Sequence, residues 1–158
     1  MDVEGVARIV IHLGLEKENP VSVELIRSIA NDVLQNPAFS GFDLENVMKD
    51  MEQLELETIH HFAPGVYARE LRVPAGSVIT GKVHRTEHLN ICAVGHLTVV
   101  NGDDKKDIKG PYIFTSPPGT KRAAVVHEDT VWITIHATEE TDVEKVLDGG
   151  VEAFLPEI

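Results

Sequence analysis

The sequence predicts a mainly β protein, a sandwich or barrel, with an N-terminal helical extension and a short C-terminal helix. Between residues 58 and 138, runs rich in β-branched and aromatic residues are separated by turn signals about every 8–12 residues, which is typical of such folds. The preceding segment instead has apolar residues at helical spacing. A length of 158 residues corresponds to one domain. We therefore divide the chain into a helical extension (1–57), a barrel (58–138) and a C-terminal helix and tail (139–158).

Two amphipathic helices are predicted in the N-terminal extension, over 22–36 and 43–54. Ser22 and Asp43 are suitable N-caps. Apolar residues then recur every three or four positions in each segment: Ile26, Ile29, Ala30, Val33 and Leu34 in the first, and Leu44, Val47, Met48, Met51 and Leu54 in the second. Each helix has an apolar face to bury, either as a cover on the barrel or as a dimerisation arm.

Seven strands are predicted in the central segment. They are VYARELRV (66–73), SVITGKVH (77–84), LNICAV (89–94), LTVV (97–100), DIKGPYIFT (107–115), KRAAVV (121–126) and VWITIHAT (131–138). Turn signals separate them, including Gly95-His96, Asn101-Gly102 and the stretch 127–130. After the last strand, Thr141 and Glu144 fit the capping box of a short helix that ends at Gly149.

The charge is unevenly distributed along the chain. Residues 1–57 carry a net charge of -8, residues 58–138 carry +2, and residues 139–158 carry -6, which gives -12 in total. Such an acidic protein is a poor partner for duplex DNA, because phosphate binding needs a basic surface. A small anion bound in a local basic pocket is still compatible with this distribution.

The sequence also bears on location. No apolar run approaches the length of about 20 residues that a membrane helix needs, and the N-terminus lacks the pattern of a signal peptide. Cys92 is the single cysteine, which suits a reducing compartment. We expect a cytoplasmic protein that does not bind membranes.

The stretch GSVITGKVHRTEHLNICAVG, residues 76–95, resembles the first motif of the cupin superfamily of small β-barrels. That motif places two histidines and a glutamate between two glycines. Here Gly76 and Gly95 have the expected spacing, and His84 stands at the second histidine. Lys82 replaces the first histidine, and His88 replaces the glutamate.

A second stretch, GPYIFTSPPGTKRAAVV (110–126), resembles the second cupin motif. Pro117 and Gly119 have the spacing of the motif, and Arg122 replaces its final histidine. Gly110 is one residue too far from Pro117. Other phrases, such as HRTEHLNI and DTVWITIHATEETD, are similar to small cupin-domain proteins of bacteriophages and their hosts. The resemblance implies a cupin barrel whose lumen contains Lys82, His84, His88 and Arg122, and it implies no particular reaction. A phage origin would place the protein in the host cytoplasm.

Three further residues are candidates for contact with a ligand. Trp132 and His136 lie on one face of the last predicted strand, opposite a more hydrophobic face, and the sequence leaves open which face lines the lumen. Tyr67 and Trp132 offer rings that can stack on a planar ligand, with packing in the core or at the rim as the alternative.

Two kinds of site are consistent with these residues. His84 and His88 are potential ligands for iron, manganese, nickel or zinc, although Lys82 and Arg122 would repel a cation. A metal would then need a further donor from Glu87, His127, His136 or His60. Alternatively, no metal is bound, and the buried Lys and Arg side chains require a counter-charge. A ligand anion would supply it with the imidazoles as further donors, or a carboxylate of the protein such as Glu70 or Glu87 would form a structural ion pair.

Three functions follow from these sites. The first is a homodimer, or a higher oligomer, that binds a small anionic molecule resembling a nucleotide or a sugar phosphate and sequesters a host metabolite or signal. The second is a metal-dependent or histidine-based enzyme, an oxygenase, isomerase, epimerase or lyase. The third is a non-catalytic interaction scaffold.

Overall fold

The computed structural model describes residues 9–12 (backbone only), 54–81, 84–101, 104–120, 122–143 and 145. Eight strands lie within these ranges: β1 (Ile9–His12), β2 (Glu57–Ala63), β3 (Val66–Val73), β4 (Ser77–Thr80), β5 (His88–Asn101), β6 (Asp104–Lys109), β7 (Tyr112–Ser116) and β8 (Ala123–Ala137). All of their pairings are antiparallel. The predicted mainly β class is therefore confirmed.

The two long strands, β5 and β8, connect the whole sheet. Strand β8 pairs with β4 through its first residues, with β3 through its second half, and with β5 along most of its length. Strand β5 pairs on its other side with β7 near its start and with β6 near its end. Because each long strand has different neighbours at its two ends, the sheet bends around a common interior.

Two of the predicted turns are wrong. Gly95-His96 and residues 127–130 lie inside β5 and β8, where the pairing register shifts between Cys92 and Leu97. These bulges bend the strands without ending them. Gly95 has φ +115°, and a Cβ there would lie 2.6 Å from the Cα of Thr130. Only glycine therefore allows β8 to pass this close to the bulge.

Other boundaries also differ from the prediction. The run 107–115 is divided into β6 and β7 at the cis peptide Gly110-Pro111, where the Gly110 N–H donates to the Gly95 carbonyl at 3.0 Å. Strand β2 was not predicted, although it pairs with β3 along its full length. Ile9–His12, within the predicted helical extension, forms a strand that pairs with β4, in keeping with its β-branched run.

The predicted helices lie almost entirely outside the described residues, so they stay predictions. This holds for 22–36, for 43–54 apart from its last residue, and for most of the C-terminal helix. Within the described ranges, no helix has the length and apolar character needed to cross a membrane.

The hydrophobic core fills one part of the interior. Its buried members come from β3, β5, β6 and β8 and are Leu71, Val73, Cys92, Leu97, Val99, Ile108, Ala124 and Val126. Phe114 and Trp132 pack against this cluster with partial exposure. The rest of the interior contains polar side chains, and these form the candidate site.

Candidate functional site

The inner face of β8 is the polar one, which answers the question that the sequence left open. Thr130, Trp132 and Thr134 line a cavity inside the barrel, and His136, further along the same face, has no exposed surface. The β-branched residues Val131, Ile133 and Ile135 therefore lie on the outer face, where they are partly exposed.

Three buried histidines meet at the polar end of this interior. His84 follows β4 on a loop, His88 begins β5, and His136 is near the end of β8; their exposed fractions are 8%, 4% and 0%. The ring centroids lie 4.2 Å apart for His84 and His88, 4.7 Å for His84 and His136, and 4.9 Å for His88 and His136. One ring nitrogen from each histidine lies within 4.8 Å of the other two.

The surrounding structure holds these rings in place. The Nδ1 atom of His88 lies 2.9 Å from the Thr86 carbonyl oxygen. A carbonyl only accepts, so Nδ1 carries the proton, and in the neutral ring the lone pair is on Nε2. The His84 carbonyl accepts from Gly119 N–H at 2.9 Å, which fixes the His84 loop to the Pro117–Thr120 turn.

His136 is held from behind by Tyr67. The two rings are nearly parallel, at 14° with centroids 6.3 Å apart. The Tyr67 hydroxyl lies 2.8 Å from Nδ1 of His60 on β2. Tyr67 has no exposed surface and is not among the residues that line the cavity. It therefore supports His136 by ring packing, and the predicted contact of Tyr67 with a ligand stays a prediction.

Several lining residues were not identified from the sequence. Arg69 on β3 is 5% exposed and lies opposite Thr134 in the sheet. Asn90 on β5 is 4% exposed, and its Nδ2 donates to the Oγ of buried Ser116 at 2.6 Å. The alternation of side chains along β3 already predicted that Arg69 and Tyr67 share one face of the strand. The sequence did not show that this face is the internal one.

Arg122 lines the same cavity and is partly buried. Its guanidinium carbon lies 5.0 Å from the centre of the Phe114 ring, a cation–π contact. Burial lowers the pKa of Arg122, and the negative charge of Asp104 opposes this effect. The pKa of an arginine starts so high that the side chain stays charged.

The cavity has an apolar wall, a polar end and a positive charge. Its volume is about 90 Å³. Core residues such as Leu71 and Val99 form one wall, and the polar lining includes His84, His88, Asn90 and the two arginines. Among the described residues, no carboxylate lines it. The interior therefore suits a molecule that bears negative charge.

The donor set of the three-histidine cluster fits a first-row transition metal. Imidazole nitrogen suits zinc, iron and nickel, whereas manganese prefers more oxygen ligands. The hydrogen bond from His88 Nδ1 to a backbone carbonyl is the orienting contact that metal-binding histidines usually make. Three protein ligands would leave coordination positions for water or substrate, as in catalytic sites.

The other sequence candidates have different positions. Trp132 lines the cavity and contacts Phe114 edge-on, with centroids 5.8 Å apart. Glu87 is exposed, and His127 belongs to a separate cluster with His96 and Asp107. Lys82 lies outside the described residues. The structure thus brings together His84, His88 and His136, with Arg122 and Trp132 on the same cavity.

Among the comparisons with known proteins, the similarity found is to solved structures. No protein-family model matches the chain, and no curated protein matches it significantly. Among solved structures, KdgF from Halomonas sp. matches with 19% identity and a TM-score of 0.48, over 59% of this chain and 89% of that one. A cupin superfamily protein from Desulfitobacterium hafniense matches with 11% identity and a TM-score of 0.47, over 56% and 82%.

A third similar structure is an acetylacetone dioxygenase from Acinetobacter johnsonii, with 12% identity and a TM-score of 0.43, over 52% of this chain and 58% of that one. The mainly antiparallel β architecture is confirmed by the strand pairings themselves, and the cupin family stays a prediction from the two sequence motifs. At these identities the similarity concerns the fold, and the function has to be argued from the site.

Proposed function

We propose that the protein is a metal-dependent cupin that acts on a small organic anion. One observation carries the proposal: three buried imidazoles meet beside a cavity, and within the described part of the chain the arginine and lysine residues that line this cavity are two arginines. His84, His88 and His136 would hold the ion. When bound, it would supply a Lewis acid that polarises a substrate oxygen.

Arg69 and Arg122 would bind the acidic group of the substrate. A guanidinium recognises carboxylate or phosphate through two parallel hydrogen bonds. The ligand would be a carboxylate or a phosphorylated molecule, because these carry the groups that a guanidinium recognises. Trp132 offers a ring face or edge beside it, and the Asn90 side chain offers polar contacts.

The experiment is a ligand screen on the metal-loaded protein. Mono- and dicarboxylates of two to six carbons and small sugar phosphates are tested by thermal shift and then for turnover. We expect a carboxylate or phosphate ligand to raise the melting temperature, and Arg122→Ala to weaken its binding by at least about tenfold, since one charged hydrogen bond is worth about 1.5–3 kcal/mol. Arg72→Ala is the control, because Arg72 is exposed and pairs with Glu70. Equal affinity in both variants would contradict the anion site.

A second candidate is binding without turnover. The same lumen would then sequester a metabolite or signalling molecule, and a role in the cytoplasm of a phage-infected cell stays a prediction. The described lining residues include no carboxylate. This favours binding without turnover over any reaction that needs a carboxylate as general base. Tight binding of a ligand that is recovered unchanged would distinguish it from the enzyme.

We also propose that the protein is a homodimer or a higher oligomer. The outer face of the β7–β5–β8 sheet carries Leu89, Ile91, Ile113, Ile133 and Ile135. Leu89 is 41% exposed and Ile113 is 63% exposed, and contiguous exposed apolar surface is typical of an interaction site. Light scattering should give at least twice the chain mass, and Ile113→Lys should lower it. A monomeric wild type would contradict this proposal.

A further inference from the structure

A second group of metal-ligand side chains lies on the outer face of the barrel, away from the cavity. It consists of His96 on β5, Asp107 on β6 and His127 on β8. Residues adjacent to this group, Leu97 and Val126, line the cavity. Because neighbouring residues of a strand point to opposite faces, the group faces outward.

The three side chains converge around the Thr98 hydroxyl. His96 Nε2 lies 2.7 Å from Asp107 Oδ1, and Thr98 Oγ1 donates to the same oxygen at 3.2 Å. His127 Nε2 lies 2.7 Å from Thr98 Oγ1. A hydroxyl has one proton to give, so His127 is the donor in that last bond. His96 Nε2 therefore points toward the carboxylate oxygen, and His127 Nε2 points toward the hydroxyl that is bonded to that same oxygen.

We propose that His96, Asp107 and His127 form a second, exterior site for a divalent transition-metal ion, with Zn²⁺ as the test ion. One ligand atom from each residue lies within 4.8 Å of the others. Zinc bonds of about 2.0–2.2 Å to nitrogen and oxygen place tetrahedral ligands somewhat closer together. The required adjustment is a change in side-chain torsions, since Asp107 is 59% exposed and His127 is also exposed.

The strands supply a rigid frame for this site. Thr98 lies directly opposite Asp107 in the β5–β6 pairing, and the imidazole rings of His96 and His127 lie 4.7 Å apart across β5 and β8. The hydrogen bond from His96 holds the pKa of Asp107 below its usual range, so the carboxylate is ionised at neutral pH. The ion would connect β6, which pairs only with β5 among the described strands, to β8 as well.

The surrounding charges act in both directions. Lys105 and Lys109 share the outer face of β6 with Asp107 and disfavour a cation. Glu128 lies opposite His96 on β8, and the whole chain carries a charge of -12. Both of these negative charges favour the binding of a cation. Two imidazoles and one carboxylate form a ligand set that is selective for transition metals over Mg²⁺ and Ca²⁺.

The test is a calorimetric titration of the untagged, chelator-stripped full chain with Zn²⁺ at pH 7.5. The expected result is that His127→Ala and the near-isosteric Asp107→Asn each bind one equivalent less than wild type. The matched control is His61→Ala, which removes an exposed imidazole that contacts a single carboxylate, Glu70, at 3.3 Å. This control should bind as much zinc as wild type. Unchanged stoichiometry in both His127→Ala and Asp107→Asn would overturn the proposal.

A second measurement separates this site from the three-histidine cluster. In the His136→Ala background, the exterior equivalent should remain and should disappear when His127→Ala is added. Long-range ¹H–¹⁵N spectra of the imidazoles should show zinc-dependent shifts of Nε2 in His96 and His127 and should confirm that each variant is folded. If zinc leaves both Nε2 signals unchanged, the cluster is a hydrogen-bond network only, whatever the lumen binds.

Discussion

Replacing Gly95 by alanine should destabilise the protein in two ways, through the positive φ of this residue and through steric contact with β8. The residue has φ +115°, and an added Cβ would lie 2.6 Å from the Cα of Thr130 and 2.7 Å from the carbonyl oxygen of Asp129. Both contacts are with backbone atoms of β8, so no side-chain rotation relieves them. The backbone conformation alone costs about 1–3 kcal/mol. Because β5 must also move away from β8, we expect a total loss of about 3–5 kcal/mol in the free energy of unfolding, which is at or above the upper end of the usual range for one substitution.

The assay is urea unfolding followed by tryptophan fluorescence, with Gly119→Ala as the control. Gly119 also has a positive φ, +81°, but an added Cβ there meets nothing within 4 Å. Gly119→Ala should lower the free energy of unfolding by about 1–2 kcal/mol, which is the cost of the backbone conformation alone. With a slope of about 1–3 kcal/mol per molar urea, the difference between the variants amounts to roughly 1 M in midpoint. Equal losses in the two variants would refute the steric argument.

Two further predictions concern buried polar groups. Ser116→Ala removes the acceptor of the buried Asn90 amide and should lower the free energy of unfolding by about 1–3 kcal/mol. The control Thr120→Val removes an exposed hydrogen bond from a hydroxyl to the Pro117 carbonyl and should change this free energy by less than about 0.5 kcal/mol. Similar losses for both variants in urea titrations would contradict the role of burial. Burial raises the pKa of the Cys92 thiol, and the residue has no exposed surface. Cys92 should therefore react with Ellman's reagent only as fast as the protein unfolds. Rapid labelling of the native protein at pH 8 would contradict this prediction.

Local sequence patterns predicted the individual strands better than the way they join. Strand β3 has the predicted bounds, 66–73, because its alternating residues are governed by one buried face. Gly95 and the polar stretch 127–130 were interpreted as turns, since glycine and acidic residues usually mark them. Their actual role depends on the close approach of β5 to β8, a contact between residues far apart in sequence.

The candidate site was predictable where the motif spacing applied. His84, His88 and Arg122 lie on one cavity, and the spacing of the cupin motifs had already grouped them. His136 is on a strand outside both motifs and was one of several alternative donors. Its place beside His84 follows from the pairing of β8 with β3 and β5. The inner face of β8 is also the less hydrophobic one, so hydrophobicity alone could not identify it.

The measurement that tests the central claim most directly is the metal content of untagged protein, purified without chelator from metal-replete cells and compared with His136→Ala. We predict that wild type carries iron, nickel or zinc and that His136→Ala carries about one equivalent less, while the exterior control His61→Ala matches wild type. Equal metal content in wild type and folded His136→Ala, or a wild type that takes up none of these ions, would contradict a metal centre formed by His84, His88 and His136.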